Sequence, residues 1–140
     1  MNCFTYAEIQ KGHKETFSVT ISEEMMSNFY GITGDCSPLH TDEYFTLNLS
    51  KMFLGKVVYG MLTASFLSTL AGVYLPGKYS LVHKYEVEFP TPVYVGDTLV
   101  FTGEVIKKND AFKTIDLKII ARNSIGNKVL RGKMRVGVLE

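Results

Sequence analysis

The chain has 140 residues, 46% hydrophobic and 21% charged, which suits one globular domain and excludes a disordered segment. With 15 Lys and Arg against 14 Asp and Glu, its net charge is +1, so nothing marks a binder of nucleic acid or of an anionic membrane. Cys3 and Cys36 make neither a disulfide framework nor a metal spacing, the N-terminus lacks a signal-peptide core, and no apolar run reaches the ~20 residues that span a bilayer, so a cytoplasmic protein with reduced thiols is expected.

Taken in chain order, ETFSVTI (15–21) alternates Phe17, Val19 and Ile21 with polar neighbours and predicts a half-buried strand. Ser22 then reads as a helix N-cap, with Glu23 and Glu24 in the first turn, where the helix dipole favours acids. Met25, Met26, Phe29, Tyr30 and Ile32 supply an apolar face, and Gly34 fits the helix end. A second short helix is expected over 41–49, packing through Tyr44, Phe45 and Leu47. In KVVYGMLTASFLSTLAGVYLPG, apolar and small residues run all round at helical spacing, which predicts a long helix buried on every side and stopped by Pro76-Gly77.

The second half reads as strands. YSLVHKYEVEFP, DTLVFTGEVIKKN, FKTIDLKIIARN and NKVLRGKMRVGVLE are separated by turn signals at Gly96-Asp97, Asn109-Asp110 and Gly126-Asn127. This order predicts an α+β fold in which a curved antiparallel sheet wraps one long buried helix. One sheet and one helix leave an open side, so a homodimer joining two sheets is expected.

The chemistry concentrates in TGDCSPLHTD (33–42). A carboxylate, Asp35, and an imidazole, His40, flank a Ser-Pro turn stiffened by Pro38. Histidine titrates near neutrality, and a nearby carboxylate can share a water with it, so the pair suits general acid–base work. The same residues also make ordinary turn chemistry, and His40 fits a helix cap equally well. Asp35, His40 and Asp42 have no further clustered ligand, so no metal is expected. Gly60 opens the central helix, where free backbone N–H groups and the dipole can hold a carbonyl oxygen as it becomes an oxyanion.

These stretches, YGITGDCSPLHTDEYF and VVYGMLTASFLSTLAG, resemble the MaoC-like (R)-specific enoyl-CoA hydratases, which have the hot-dog fold. The family pattern is roughly (S/T)-G-D-x-N-P-(L/I/V)-H, followed by a V-H-G-(M/L) helix start. PGKYSLVHKYEVEFPTPVYVGDTLVFTGEV extends the likeness, which covers about 17–137. The resemblance implies that Asp35 and His40 are the catalytic pair, that the Gly60 N–H is the oxyanion donor, and that Ser68 lies by the aspartate. Ser65 reads instead as a helix-interior serine bonded to its own backbone.

Two departures fall in the motif itself: Ser37 replaces the usual asparagine, and Tyr59 the usual histidine. The implied reaction is reversible hydration of a trans-2-enoyl thioester to an (R)-3-hydroxyacyl thioester, with no cofactor. The substrate is then an acyl-CoA or an acyl-carrier-protein thioester. Phe29, Tyr30, Leu39, Tyr44, Phe53 and Leu62 are candidates to line the acyl pocket, and Lys51, Lys56, Lys78 and Lys84 to form a basic rim. A hot-dog thioesterase and a non-catalytic acyl-thioester binder are the alternatives.

Overall fold

The computed structural model describes residues 1–140. Five antiparallel strands form one sheet: β1 (Lys14–Thr20), β2 (Ser80–Glu88), β3 (Thr98–Asn109), β4 (Thr114–Arg122) and β5 (Lys128–Val138), in the order β1-β3-β4-β5-β2. Register shifts occur between Val105 and Lys107 in β3 and between Val82 and Lys84 in β2. Such bulges sharpen the local bend of a sheet. The inward face of β3, β4 and β5 carries Leu99, Phe101, Val105, Ile115, Leu117, Ile119, Met134 and Val136, all essentially inaccessible to solvent.

The central helix α4 (Gly60–Thr69) continues as a π-helical turn over Leu70–Tyr74 and fills this concave face. Gly103 in β3 shows why the helix can seat so deeply. A Cβ there would lie 2.9 Å from Leu70 Cδ2, so any larger residue would push the Leu70 side chain out of its present position. Aromatic rings extend the seat, with Phe101 stacked on Phe17 at 5.2 Å and Phe17 on Tyr74 at 4.9 Å. The predicted α+β architecture is therefore the observed one.

Helix α1 (Glu23–Thr33) has the expected ends. The Ser22 hydroxyl accepts from the Met25 N–H at 3.2 Å, and Gly34 closes the helix in the left-handed region at φ 69°. Its core contacts come from Met25, Met26 and Phe29, whereas Tyr30 and Ile32 stay exposed.

Two expectations are corrected. An unexpected short helix, α2 (Pro38–Thr41), precedes the helix expected over 41–49, which is α3 (Glu43–Leu49), started by the Asp42 side chain accepting from the Phe45 N–H at 2.9 Å. Its buried residue is Thr46; Tyr44, Phe45 and Leu47 face outward. Nor is the central helix buried all round, although it opens at Gly60 as expected. Residues 57–59 are extended beside the 93–94 segment, and Met61, Ser65 and Ser68 form an exposed stripe along α4.

Candidate active site

The loop after α1 is held by local hydrogen bonds that its own residues supply. Gly34 turns the chain, the Asp35 N–H donates to Thr33 Oγ1 at 3.2 Å, and Asp35 Oδ1 accepts from the Ser37 N–H at 3.0 Å. Pro38 then opens α2 at a position where a missing N–H costs nothing. The buried Thr46 hydroxyl donates to the Asp42 carbonyl at 2.9 Å and also lies 3.3 Å from the Pro38 and Leu39 carbonyls, and so ties α3 to this turn. The consequence is a short, braced segment that presents Asp35 and His40 on the same side.

The imidazole is fixed from the other direction. His40 Nδ1 lies 2.6 Å from the Val57 carbonyl oxygen. A carbonyl only accepts, so Nδ1 carries the hydrogen and the neutral ring keeps its lone pair on Nε2. Tyr59 packs its ring 4.3 Å from that of His40 and 4.9 Å from that of Phe29, and its hydroxyl donates to the Asp35 carbonyl at 2.7 Å.

Asp35, His40 and Gly60 meet at one cavity of about 310 Å³, completed by Phe29, Thr33, Tyr59, Met61 and Phe89. A second, more apolar cavity of about 260 Å³ adjoins it. The two share His40, Gly60 and Phe89, and the second adds Leu39, Phe53, Thr63 and Val129. A larger concavity of about 630 Å³ lies on the outer sheet face among Glu86, Lys118 and Lys133. It holds no acid–base pair next to a free helix start, so chemistry rather than size selects the smaller site.

The electrostatics divide the pair. The Ser37 backbone N–H, then the Ser37 hydroxyl, and to a smaller degree the charge of His40 hold the Asp35 carboxyl below its ordinary value. Asp35 is thus an ionised acceptor at neutral pH. Burial, with the Asp35 charge adding to it, pushes the Tyr59 phenol up, so Tyr59 stays a neutral donor. Gly60 heads α4, and its N–H has no carbonyl four residues back within the helix. No group of three metal-binding side chains is present.

The other candidates divide too. Phe29, Leu39 and Phe53 line the cavities, and Ser37 and Tyr59 brace the loop. Leu62 is buried in the core, while Tyr30 and Tyr44 are exposed and line neither cavity. Ser65 donates to the Leu62 carbonyl at 2.6 Å, whereas Ser68 sits on the exposed stripe outside both cavities. Among the rim lysines, Lys56 pairs with Glu23 at 3.2 Å and Lys84 with Glu86 at 3.5 Å.

Sequence reasoning missed Phe89, Thr63 and the Val57 carbonyl. Phe89 had a signal: it follows the alternating run of β2 and stands just before Pro90, where a strand ends. Thr63 and the Val57 carbonyl had none, because their roles depend on tertiary neighbours.

A family model described as "MaoC like domain" matches residues 5–125. An (R)-specific enoyl-CoA hydratase of Rhodospirillum rubrum is 31% identical over 100 residues, 71% of this chain and 68% of that protein. Another from Aeromonas caviae is 30% identical over 116 residues, 81% of this chain and 85% of that protein. The solved R-hydratase PhaJ1 from Pseudomonas aeruginosa superposes with a TM-score of 0.88 at 26% identity, over 97% of this chain and 86% of that one. With the family model, the relatives and the fold in agreement, the chain belongs to the MaoC-like dehydratase family of hot-dog proteins.

Proposed function

We propose that the protein reversibly adds water to a trans-2-enoyl-CoA to give the (R)-3-hydroxyacyl-CoA. The observation that carries this reading is the single cavity shared by an ionised carboxylate, an imidazole with its lone pair on Nε2, and the N–H of a helix-opening glycine. The names of the similar hydratases support coenzyme A as the carrier and R as the configuration.

The chemistry follows from the groups. The Gly60 N–H donates to the thioester oxygen and draws electron density from C3. One water donates an O–H to Asp35 and the other to His40 Nε2. His40 Nε2, whose lone pair the Val57 carbonyl leaves free, takes the proton. The water oxygen bonds to C3, and the C2–C3 π electrons move onto the thioester oxygen as an enolate. The His40 imidazolium then delivers its proton to C2, the enolate collapses, and both residues return to their starting states. Apolar walls such as Leu39 and Phe53 suit the acyl chain.

We propose further that the protein works as a homodimer in the cytoplasm. Both cysteines are free and exposed, which suits a reducing compartment. No helix is long and apolar enough to cross a membrane. The exposed stripe of α4 supports a second copy as its cover.

Incubation with crotonyl-CoA, following both the enoyl-thioester absorbance and free thiol, tests the reaction. Loss of absorbance without thiol is expected. Thiol release would make the protein a thioesterase, and silence in both channels across a series of chain lengths would make it a binder.

A further inference from the structure

The extended segment Val57–Tyr59 holds the loop 35–40 at three points. The Val57 N–H donates to the Leu39 carbonyl at 3.0 Å, the Val57 carbonyl accepts from His40 Nδ1 at 2.6 Å, and the Tyr59 hydroxyl donates to the Asp35 carbonyl at 2.7 Å. At residues 57 and 59, the first two contacts use only main-chain atoms, so any side chain there keeps them. The third depends on the tyrosine.

Asp35 itself is solvent-exposed, and exposed loop tips are mobile unless tied down. Its carboxylate is bonded only within its own turn, to Ser37. The Tyr59 side chain, 3% exposed, is wedged between Phe29 and His40, and it immediately precedes Gly60. We propose that Tyr59 is a positioning residue that sets the spacing of all three reacting groups, its hydroxyl tethering the Asp35 backbone and its ring face bracing the His40 imidazole one peptide unit from the Gly60 N–H.

A phenol reaches further than an imidazole from the same backbone position. The tyrosine that departs from the pattern resembled in the sequence is therefore a tether that a histidine there is too short to make. The inference rests on Asp35 and His40 being the reacting pair.

Tyr59→Phe removes the hydroxyl and keeps the ring. Hydration of crotonyl-CoA should lose about 10–100-fold in kcat, the scale of a misplaced catalytic group, with KM unchanged. Amide hydrogen exchange over 35–40 should quicken while the sheet keeps its protection. Exchange needs no turnover, so it judges the tether even if the wild-type protein hydrates nothing, which would overturn the proposed reaction instead. Unchanged exchange at 35–40, an unchanged kcat in an active protein, or a loss confined to KM overturns the tether. Should Y59F fail to fold, Y59H, which keeps a buried ring without that reach, is read by the same measurements.

Discussion

At the scale of single residues, the proposed chemistry depends on two nearby groups that both present an acceptor to one water. The Asp35 turn stabilises the anion through the Ser37 N–H, while the Val57 carbonyl commits the His40 hydrogen to Nδ1. In the proposed mechanism each group accepts one hydrogen from the same water and the imidazole takes the proton. Asp35→Asn replaces an acceptor oxygen by an NH₂ donor, and His40→Ala removes the proposed base. Each should lower kcat by about 10²–10⁴-fold, and thermal unfolding should leave the fold in place, since Asp35 is exposed and His40 lies outside the main core.

Ser37→Ala should be far milder. It keeps the N–H that contributes most to the low Asp35 value and loses only the hydroxyl, so kcat should fall about fivefold or less. The sign of its pH effect follows. Asp35 serves as an acceptor above its lowered value and is lost as pH falls through it. Removing one stabiliser of the anion raises that value, so the Asp35 side-chain carboxyl, followed by NMR, should titrate at higher pH in S37A. A titration that moves down, or a loss as large as in Asp35→Asn, would count against the role assigned to Asp35.

At the scale of elements, Gly60 is needed for room rather than for backbone freedom. It opens an ordinary helix, and a Cβ there would meet the Phe89 ring at 3.5 Å, a normal contact. The methyl would, however, stand where the two cavities meet, since Gly60 and Phe89 line both. Gly60→Ala should thus keep or raise stability, by up to about 1 kcal/mol from the restricted unfolded chain, while hydration falls. Urea unfolding beside a kinetic assay separates the effects. Full activity in a stable G60A protein would show that the passage is not the substrate path.

The same scale explains what could be read in advance. The strands were legible because side chains alternate along a half-buried ribbon, as Phe17 and Val19 do, and the ends of α1 were legible because Ser22 and Gly34 act locally. The turn that carries Asp35 was legible for the same reason, since its hydrogen bonds are local. The four-residue helix α2 was not, because Pro38–Thr41 is too short to show an apolar period and has no side-chain cap. The outward faces of Tyr44 and Leu47 were equally hidden, since composition says that a residue is apolar but not which neighbour covers it. The bare stripe of α4 belongs to this group: its small and apolar residues look the same whether the covering element comes from the same chain or from another.

At the scale of the whole molecule, that stripe borders a gap. Both ends of the central helix approach the β2 edge, Gly60 at the Phe89 ring and Gly72 with its Cβ position 3.9 Å from the Ser80 hydroxyl. Between these contacts lie Met61, 64% exposed, and the exposed Ser65 and Ser68. Tyr85, on the register row of buried Met134, is still 47% exposed. The opposite edge, β1, turns Lys14, Thr16, Ser18 and Thr20 to solvent and offers no comparable apolar surface. An edge strand with unpaired backbone groups and an uncovered aromatic row is suited to pairing with a second copy. Ser68, outside the cavities of its own chain, would then lie in the interface.

Sedimentation equilibrium should give twice the chain mass. With a net charge of only +1, association should change little between low and high salt. Tyr85→Lys, placing a charge in the middle of the gap, should give single chains whose sheet is intact by circular dichroism, because Tyr85 is only half-buried within one chain. A wild-type protein that sediments as one chain, or a Y85K variant that still pairs, would remove this face as the interface and leave the α4 stripe without a cover.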